Sequence, residues 1–87
     1  MDWQIEWTPQ ALRDLEALEK TDRKRILAKL EEACKEPLRF FERLKGADEH
    51  KLRTGDYRVL ALLAHARKAV VVQRIGHRKH VYKRFFK

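Results

Sequence analysis

A single cysteine, Cys34, is all the thiol the chain has, so an internal disulfide and a multi-thiolate zinc site are both excluded. Its place among apolar residues at helical spacing reads as a small buried hydrophobe. Three glycines and two prolines are too few for a fibrous or low-complexity chain, and Gly76-His77-Arg78 is too short to be a phosphate-cradling loop. No apolar run approaches the ~18 residues of a membrane span. The opening MDWQIEW carries an acid where a signal peptide carries cations, so the chain reads as intracellular and cytoplasmic. Metal ligands are missing as a set: His77 and His80 stand three apart with no Asp, Glu or Cys near them in sequence, and neither a metal nor another cofactor is expected.

The most telling scarcity is acid in the C-terminal part. The last fourteen residues, RIGHRKHVYKRFFK, hold six Lys or Arg and no carboxylate side chain. Residues 1–36 carry nine acids against seven Lys or Arg, whereas residues 37–87 carry four against fourteen, so the whole net charge of +8 originates after residue 36. Such a skew is the electrostatic footprint of a phosphate-rich partner or of an acidic protein. With 87 residues, 44% hydrophobic and 39% charged, there is room for one compact domain, residues 1–87, around one modest core.

What is present has clear periods. DWQIEW alternates polar with apolar, so Trp3, Ile5 and Trp7 share one side of a half-buried strand. Thr8-Pro9 is a cap followed by the proline favoured at a first helical position. Ala11, Leu12, Leu15 and Leu18 then recur at helical spacing to about Lys20. Thr21-Asp22 offers a second cap, and Ile26, Leu27, Leu30, Ala33 and Cys34 continue the period until Pro37 ends it. The short break makes an antiparallel helical hairpin.

Residues 37–49 read as a connection anchored by Phe40, Phe41 and Leu44, with a turn at Gly46. HKLRTG, YRVLALLAHA and AVVVQRIG read as three consecutive strands with short turns, the first at Thr54-Gly55-Asp56, hence an antiparallel meander. With the N-terminal strand as a fourth, the class is α+β, an antiparallel twisted sheet of about four strands covered on one face by the hairpin.

Lys51, Arg53, Tyr57 and Arg58 fall on the first two meander strands; Arg74, His77, Arg78 and Tyr82 fall at the end of the third. Pairing of the strands can bring the two sets to one face or one end of the sheet. Lys51 and Arg53 share strand parity and project to one side about 7 Å apart, a spacing suited to one phosphodiester.

Such a set fits RNA cleavage by the ribose 2′-hydroxyl, which needs a base, a stabiliser for the phosphorane and an acid for the leaving 5′-oxygen. Arginine remains protonated and cannot be the base, but its planar fork suits a phosphate gaining charge, so Arg58 and Arg78 are the stabilisers. Lys51 can act as base where Arg53 and Arg58 disfavour its ammonium form. His50, His77 and His80 are chemically easier bases, since imidazole titrates near neutral pH. Tyr82 can stack on a base or position the phosphate.

Each of these has a plainer counterpart. Arg53, Arg67 and Lys79 suit ordinary solvated positions, Tyr57 begins an apolar run and suits the core, and His65 beside a turn suits a structural or exposed role. Trp3, Trp7, Phe40 and Phe41 read as core.

The strand, the helical hairpin, then LKGADEHKLRTGDYRVLALLA and VVVQRIGHRKHVYKRF together resemble the RelE/ParE superfamily of toxin-antitoxin toxins over nearly the whole chain. The resemblance is carried by Leu44-Lys45-Gly46, by the stretch from Leu52 to Arg58 and by the stretch from Gly76 to Tyr82. It implies a twisted sheet with an N-terminal helical hairpin and a short C-terminal helix or turn. For the RelE branch it implies a metal-independent endoribonuclease cutting mRNA in the ribosomal A site.

By that likeness Lys51 stands near the attacking 2′-hydroxyl, Arg58 and Arg78 attend the phosphate and leaving group, and Tyr82 orients the substrate. Lys45, Arg53, Arg74, His77, Lys79, Lys83 and Arg84 would attract ribosomal RNA. Some RelE enzymes carry a second lysine where this chain has Glu49, so Glu49 with a histidine is an alternative base. The resemblance also implies a cognate acidic antitoxin as partner. Two other functions fit the same frame: the ParE branch poisons DNA gyrase by binding, and a basic module can bind RNA without cutting it.

Overall fold

The computed structural model describes residues 2–77. Arg78, Lys79, His80, Tyr82, Lys83, Arg84 and the expected C-terminal helix or turn lie outside the described residues.

The alternating DWQIEW stretch forms β1, Gln4–Trp7. Thr8 then turns the chain: its backbone is extended, its hydroxyl accepts the Ala11 N–H at 3.1 Å, and Pro9 opens α1, Pro9–Glu16. After Ala17–Glu19 comes α2, Lys20–Ala33. This helix starts two residues earlier than a Thr21 cap implies. Glu19 is its N-cap without a side-chain cap bond, and Asp22 lies inside the first turn, where a negative charge suits the helix dipole. Proline at position 37 disfavours helical backbone at Glu36 (φ −146°, ψ 73°) and begins a new single turn, α3, Pro37–Phe40.

Then follow β2, Glu42–Arg43, β3, His50–Thr54, β4, Tyr57–Ala64, and β5, Ala69–His77. β3 and β4 join through Gly55-Asp56, with Gly55 at φ +61°, the positive angle that a two-residue hairpin turn asks of its first residue when it is glycine. The sheet order is β1-β5-β4-β3-β2.

The α+β class stands as expected, and two features refine the sheet. It has five strands, because the supposed connection contributes β2, antiparallel to β3. It is mixed, because β1 pairs parallel with β5; the helical segment carries the chain across the sheet between them, as a parallel pair requires.

The helices cover one face. Ala11 and Leu15 of α1 and Ile26, Leu30, Ala33 and Cys34 of α2 join Phe41, Leu52, Val59, Ala61, Val70, Val72 and Ile75 in a continuous core, with Trp3, Ile5, Trp7, Phe40 and Tyr57 packed at its margin. Leu12 and Leu27, counted inward by spacing, are exposed (43% and 36%). Eight residues of α1 present only the Ala11–Leu15 line to the sheet, and Leu12 lies a helical step of about 100° off it.

A β-bulge in β5 sets which residues enter the core. Leu60 pairs with Arg74 but Ala61 pairs with Val72, leaving Gln73 as the extra residue. The core side therefore continues from Val70 and Val72 to Ile75, and Arg74 goes to the other face. Thr8 holds this bulge, with its N–H on the Val72 carbonyl at 3.1 Å and its hydroxyl donating to the Gln73 carbonyl at 3.2 Å. No helix among the described residues is long and apolar enough to cross a membrane.

Candidate active site

Residues directly opposite one another in a ladder share a face. One row across the sheet is Glu42, Lys51, Leu60 and Arg74; the next is Arg53, Arg58 and Gly76. These alternate with the core residues Leu52, Val59 and Ile75, so they lie on the face turned away from the helices. Lys51, Arg53, Arg58 and Arg74 thus come within two adjacent rows of three neighbouring strands, about 5 Å apart across the strands and about 7 Å along them.

Arg58 stands at the centre and is only 5% exposed. Its Nη1 donates to the Tyr57 carbonyl at 3.1 Å and lies 3.5 Å from that of Gly55. Its remaining donors take no partner among the described residues. Among the described residues this buried guanidinium is answered by backbone carbonyls alone, and an anion lying on this face would complement its charge. Gly76 opposite it presents no side chain. Arg53, also opposite, is exposed and has no ion pair among the described residues.

Lys51 is one-quarter exposed, and its ammonium lies 3.6 Å from the Glu42 carboxylate, itself largely exposed. Glu42 escapes sequence reasoning because β2 is two residues long and has no alternation to read. The signal that could find it is its register opposite Lys51.

Arg74 occupies the same row, but its guanidinium is committed elsewhere. β1 ends at Trp7, leaving the edge of β5 beyond Val72 to α1; there Asp14 accepts from Arg74 Nε at 2.9 Å and from the Ile75 N–H at 2.9 Å with the same oxygen. The pair is mostly withdrawn from solvent.

The described histidines do not join Lys51. His77 follows Ile75 onto the helix side, opposite Tyr57, with ring centroids 5.9 Å apart at 75°. Burial first, then the charges of Asp22, Glu19 and Asp56, raise the Tyr57 pKa above the usual tyrosine value. His50 pairs with Ala61 and Arg43 on that same side, and its Nδ1 lies 3.0 Å from the Asp48 carbonyl oxygen. Glu49 directly precedes β3, its carbonyl accepting from the Leu44 N–H at 2.9 Å. Lys45 is exposed in the Lys45-Gly46 turn. His65 is exposed and meets Trp3 edge to face.

Two grooves of about 590 and 630 Å³ lie away from the cationic face: one between Trp3, Ile5 and the end of α2, the other around His50, Leu63 and His65. Neither is lined by Lys51, Arg53 or Arg58.

The family model described as ParE toxin of type II toxin-antitoxin system, parDE, matches residues 5–82. Among solved structures, the toxin-antitoxin complex RelBE2 from Mycobacterium tuberculosis has a chain 26% identical with a TM-score of 0.80, the match covering 88% of this chain and 99% of that one. The intact RelBE toxin-antitoxin complex of E. coli gives 25% identity and a TM-score of 0.73, covering 86% and 95%. The archaeal RelE-RelB complex from Pyrococcus horikoshii shares the fold at 24% identity and a TM-score of 0.77, covering 93% and 100%. No curated protein matches the chain.

Proposed function

The chain belongs to the ParE/RelE toxin family of type II toxin-antitoxin systems, and from that premise we propose that it is a ribosome-dependent endoribonuclease that cuts mRNA in the A site. The observation that carries this reading is Arg58: a guanidinium almost wholly buried, without a carboxylate partner among the described residues, opposite Arg53 and diagonal to Lys51. A scissile phosphate laid over β3 and β4 meets that fork where its charge grows. Removal of one such preorganised donor costs about 10²–10³ in rate.

In the reaction the 2′-oxygen loses its proton and bonds to phosphorus, the bond from phosphorus to the 5′-oxygen breaks, and that oxygen takes a proton. The products are a 2′,3′-cyclic phosphate and a 5′-hydroxyl. Lys51 lies on the face of Arg58 and is the described residue best placed beside the 2′-hydroxyl; Glu42, 3.6 Å from its ammonium, restricts where that side chain points. Glu49 with a histidine is the alternative base. Arg78 and Tyr82 take the leaving-group and stacking roles that the family resemblance assigns them. Lys45, Lys79, Lys83 and Arg84 supply attraction to ribosomal RNA. The related structures solved as toxin-antitoxin complexes support a cognate antitoxin for this chain, and its +8 charge calls for an acidic one.

The test is to map mRNA ends after adding the protein to programmed ribosomes, with free mRNA alongside. Cuts within the A-site codon that bear a 2′,3′-cyclic phosphate, require the ribosome and fall at least 10²-fold in Arg58→Ala are expected. Arg58→Lys keeps the charge but loses the fork, so binding persists while cleavage collapses; equal binding and cleavage losses would favour a module that only binds RNA. Intact mRNA together with inhibited gyrase supercoiling would replace the ribonuclease reading with gyrase poisoning.

A further inference from the structure

We propose that Arg25 on α2 is a second phosphate-binding residue of this interface, holding the RNA backbone where it passes over the β3–β4 turn. The proposal rests on the RNA-directed reading of the Arg58 face. Four of the described arginines, Arg39, Arg43, Arg67 and Arg74, hold a carboxylate. Arg13 bonds to Gln10 and Arg23 lies 3.5 Å from the Leu18 carbonyl. The three that remain, Arg25, Arg53 and Arg58, have no ion pair among the described residues, and all three gather at the turn between β3 and β4.

Gly55 is where they meet. Arg58 Nη1 lies 3.5 Å from its carbonyl oxygen. Arg25 Nη1, reaching across from the helix layer, lies 3.4 Å from where a Cβ on Gly55 would stand. Arg53 is directly opposite Arg58 in the ladder. A residue without a side chain leaves room for the exposed Arg25 fork beside the turn.

Among the described residues no carboxylate pairs with these three guanidinium groups, although Asp56 lies exposed in the turn itself. A planar fork on each side of one tight turn matches successive phosphates of a strand crossing it, with Arg58 on the scissile group and Arg25 on a flanking one. Arg25 is therefore a positioning residue, acting on substrate backbone outside the reacting atoms.

Two measurements test it. The first is the salt dependence of binding of a single-stranded RNA oligonucleotide and of programmed ribosomes by the full chain; the second is the kcat and KM of A-site cleavage. In Arg25→Ala, which replaces an exposed side chain, the melting temperature stays unchanged. Affinity falls roughly tenfold, and the slope of log K against log salt for the oligonucleotide shrinks by about 0.7. Cleavage efficiency drops through KM, and Arg25→Lys retains most of the slope. Wild-type affinity and slope in Arg25→Ala, where Arg53→Ala lowers both, would overturn the role of Arg25. Wild-type protein that binds neither probe in a salt-dependent way would overturn the underlying RNA-directed reading instead.

Discussion

At the scale of single residues, Thr8 links β1, α1 and the bulge of β5. Its hydroxyl accepts the Ala11 N–H that starts α1 and donates to the bulge carbonyl of Gln73, while its own N–H reaches Val72. Thr8→Ala removes a helix cap, about 1 kcal/mol, and a part-buried hydrogen bond, about 1 kcal/mol. A loss of about 1–2 kcal/mol is expected, read as a drop of roughly 5–15 °C in thermal unfolding for a domain of this size. Thr8→Ser restores most of it. The cap was legible as Thr8-Pro9 in the sequence; its second bond was not, because the acceptor lies 65 residues away.

Cys34 shows the opposite balance. Reading it as a small hydrophobe needed only its spacing, and it lies buried in the core cluster, where burial raises its thiol pKa.

At the scale of elements, local pattern fixed what local chemistry controls: the alternation of β1, the start of α1 and the Gly55 turn. Pairing over distance was harder to read. Nothing in DWQIEW says that its partner is parallel, and two residues at Glu42–Arg43 have no period to detect. The bulge at Gln73 matters most for the site, because one extra residue exchanges the faces of everything after it. That exchange sends Arg74 to the cationic face and His77 to the helix side, although the chain offers both as neighbours of Arg78. Lys51, Arg53 and Arg58 could be grouped beforehand because β3 and β4 join through a two-residue turn, which ties their parities together.

The same edge of β5 carries a stability prediction. Asp14 is the shared acceptor of Arg74 and the Ile75 N–H, tying α1 to β5 where β1 has ended. Breaking a fully buried pair costs about 3–5 kcal/mol; because Arg74 and Asp14 keep 18% and 11% exposure, Asp14→Ala is expected to cost about 2–3 kcal/mol. Asp14→Asn, which still offers an acceptor to the Ile75 amide, costs less. Denaturant unfolding measures the loss, and faster exchange of the Ile75 amide in Asp14→Ala locates it. Equal stability of the two variants would mean that the backbone bond contributes nothing.

At the scale of the whole molecule, charge and stability respond to pH in opposite senses. The net +8 repels itself, and it falls toward zero as pH rises to the isoelectric point near 10.0, so relief of repulsion favours the folded state along that path. Tyr57 acts against this trend. Partial burial first, then the negative charges of Asp22, Glu19 and Asp56, make its hydroxyl hold its proton more tightly in the folded state than in the unfolded chain. A group whose folded pKa is raised contributes stability that is fully present below its unfolded value, about 10 for tyrosine, and loses it as pH climbs through the folded value. At pH 7–8 the tyrosine is protonated in both states, and Tyr57→Phe, which lacks the hydroxyl and its place beside Asp22, is expected to be the less stable of the two. Above pH 10 the gap closes, since only the parent carries the tyrosine that must ionise. Denaturant midpoints of the two proteins at matched pH separate this from the shared effect of net charge, which cancels in the difference until the tyrosine itself ionises. A gap that stays constant to the highest pH at which both remain folded would show that the Tyr57–Asp22 contact does not shift the tyrosine. Its closure would tie the start of α2 to the far end of the sheet through one proton.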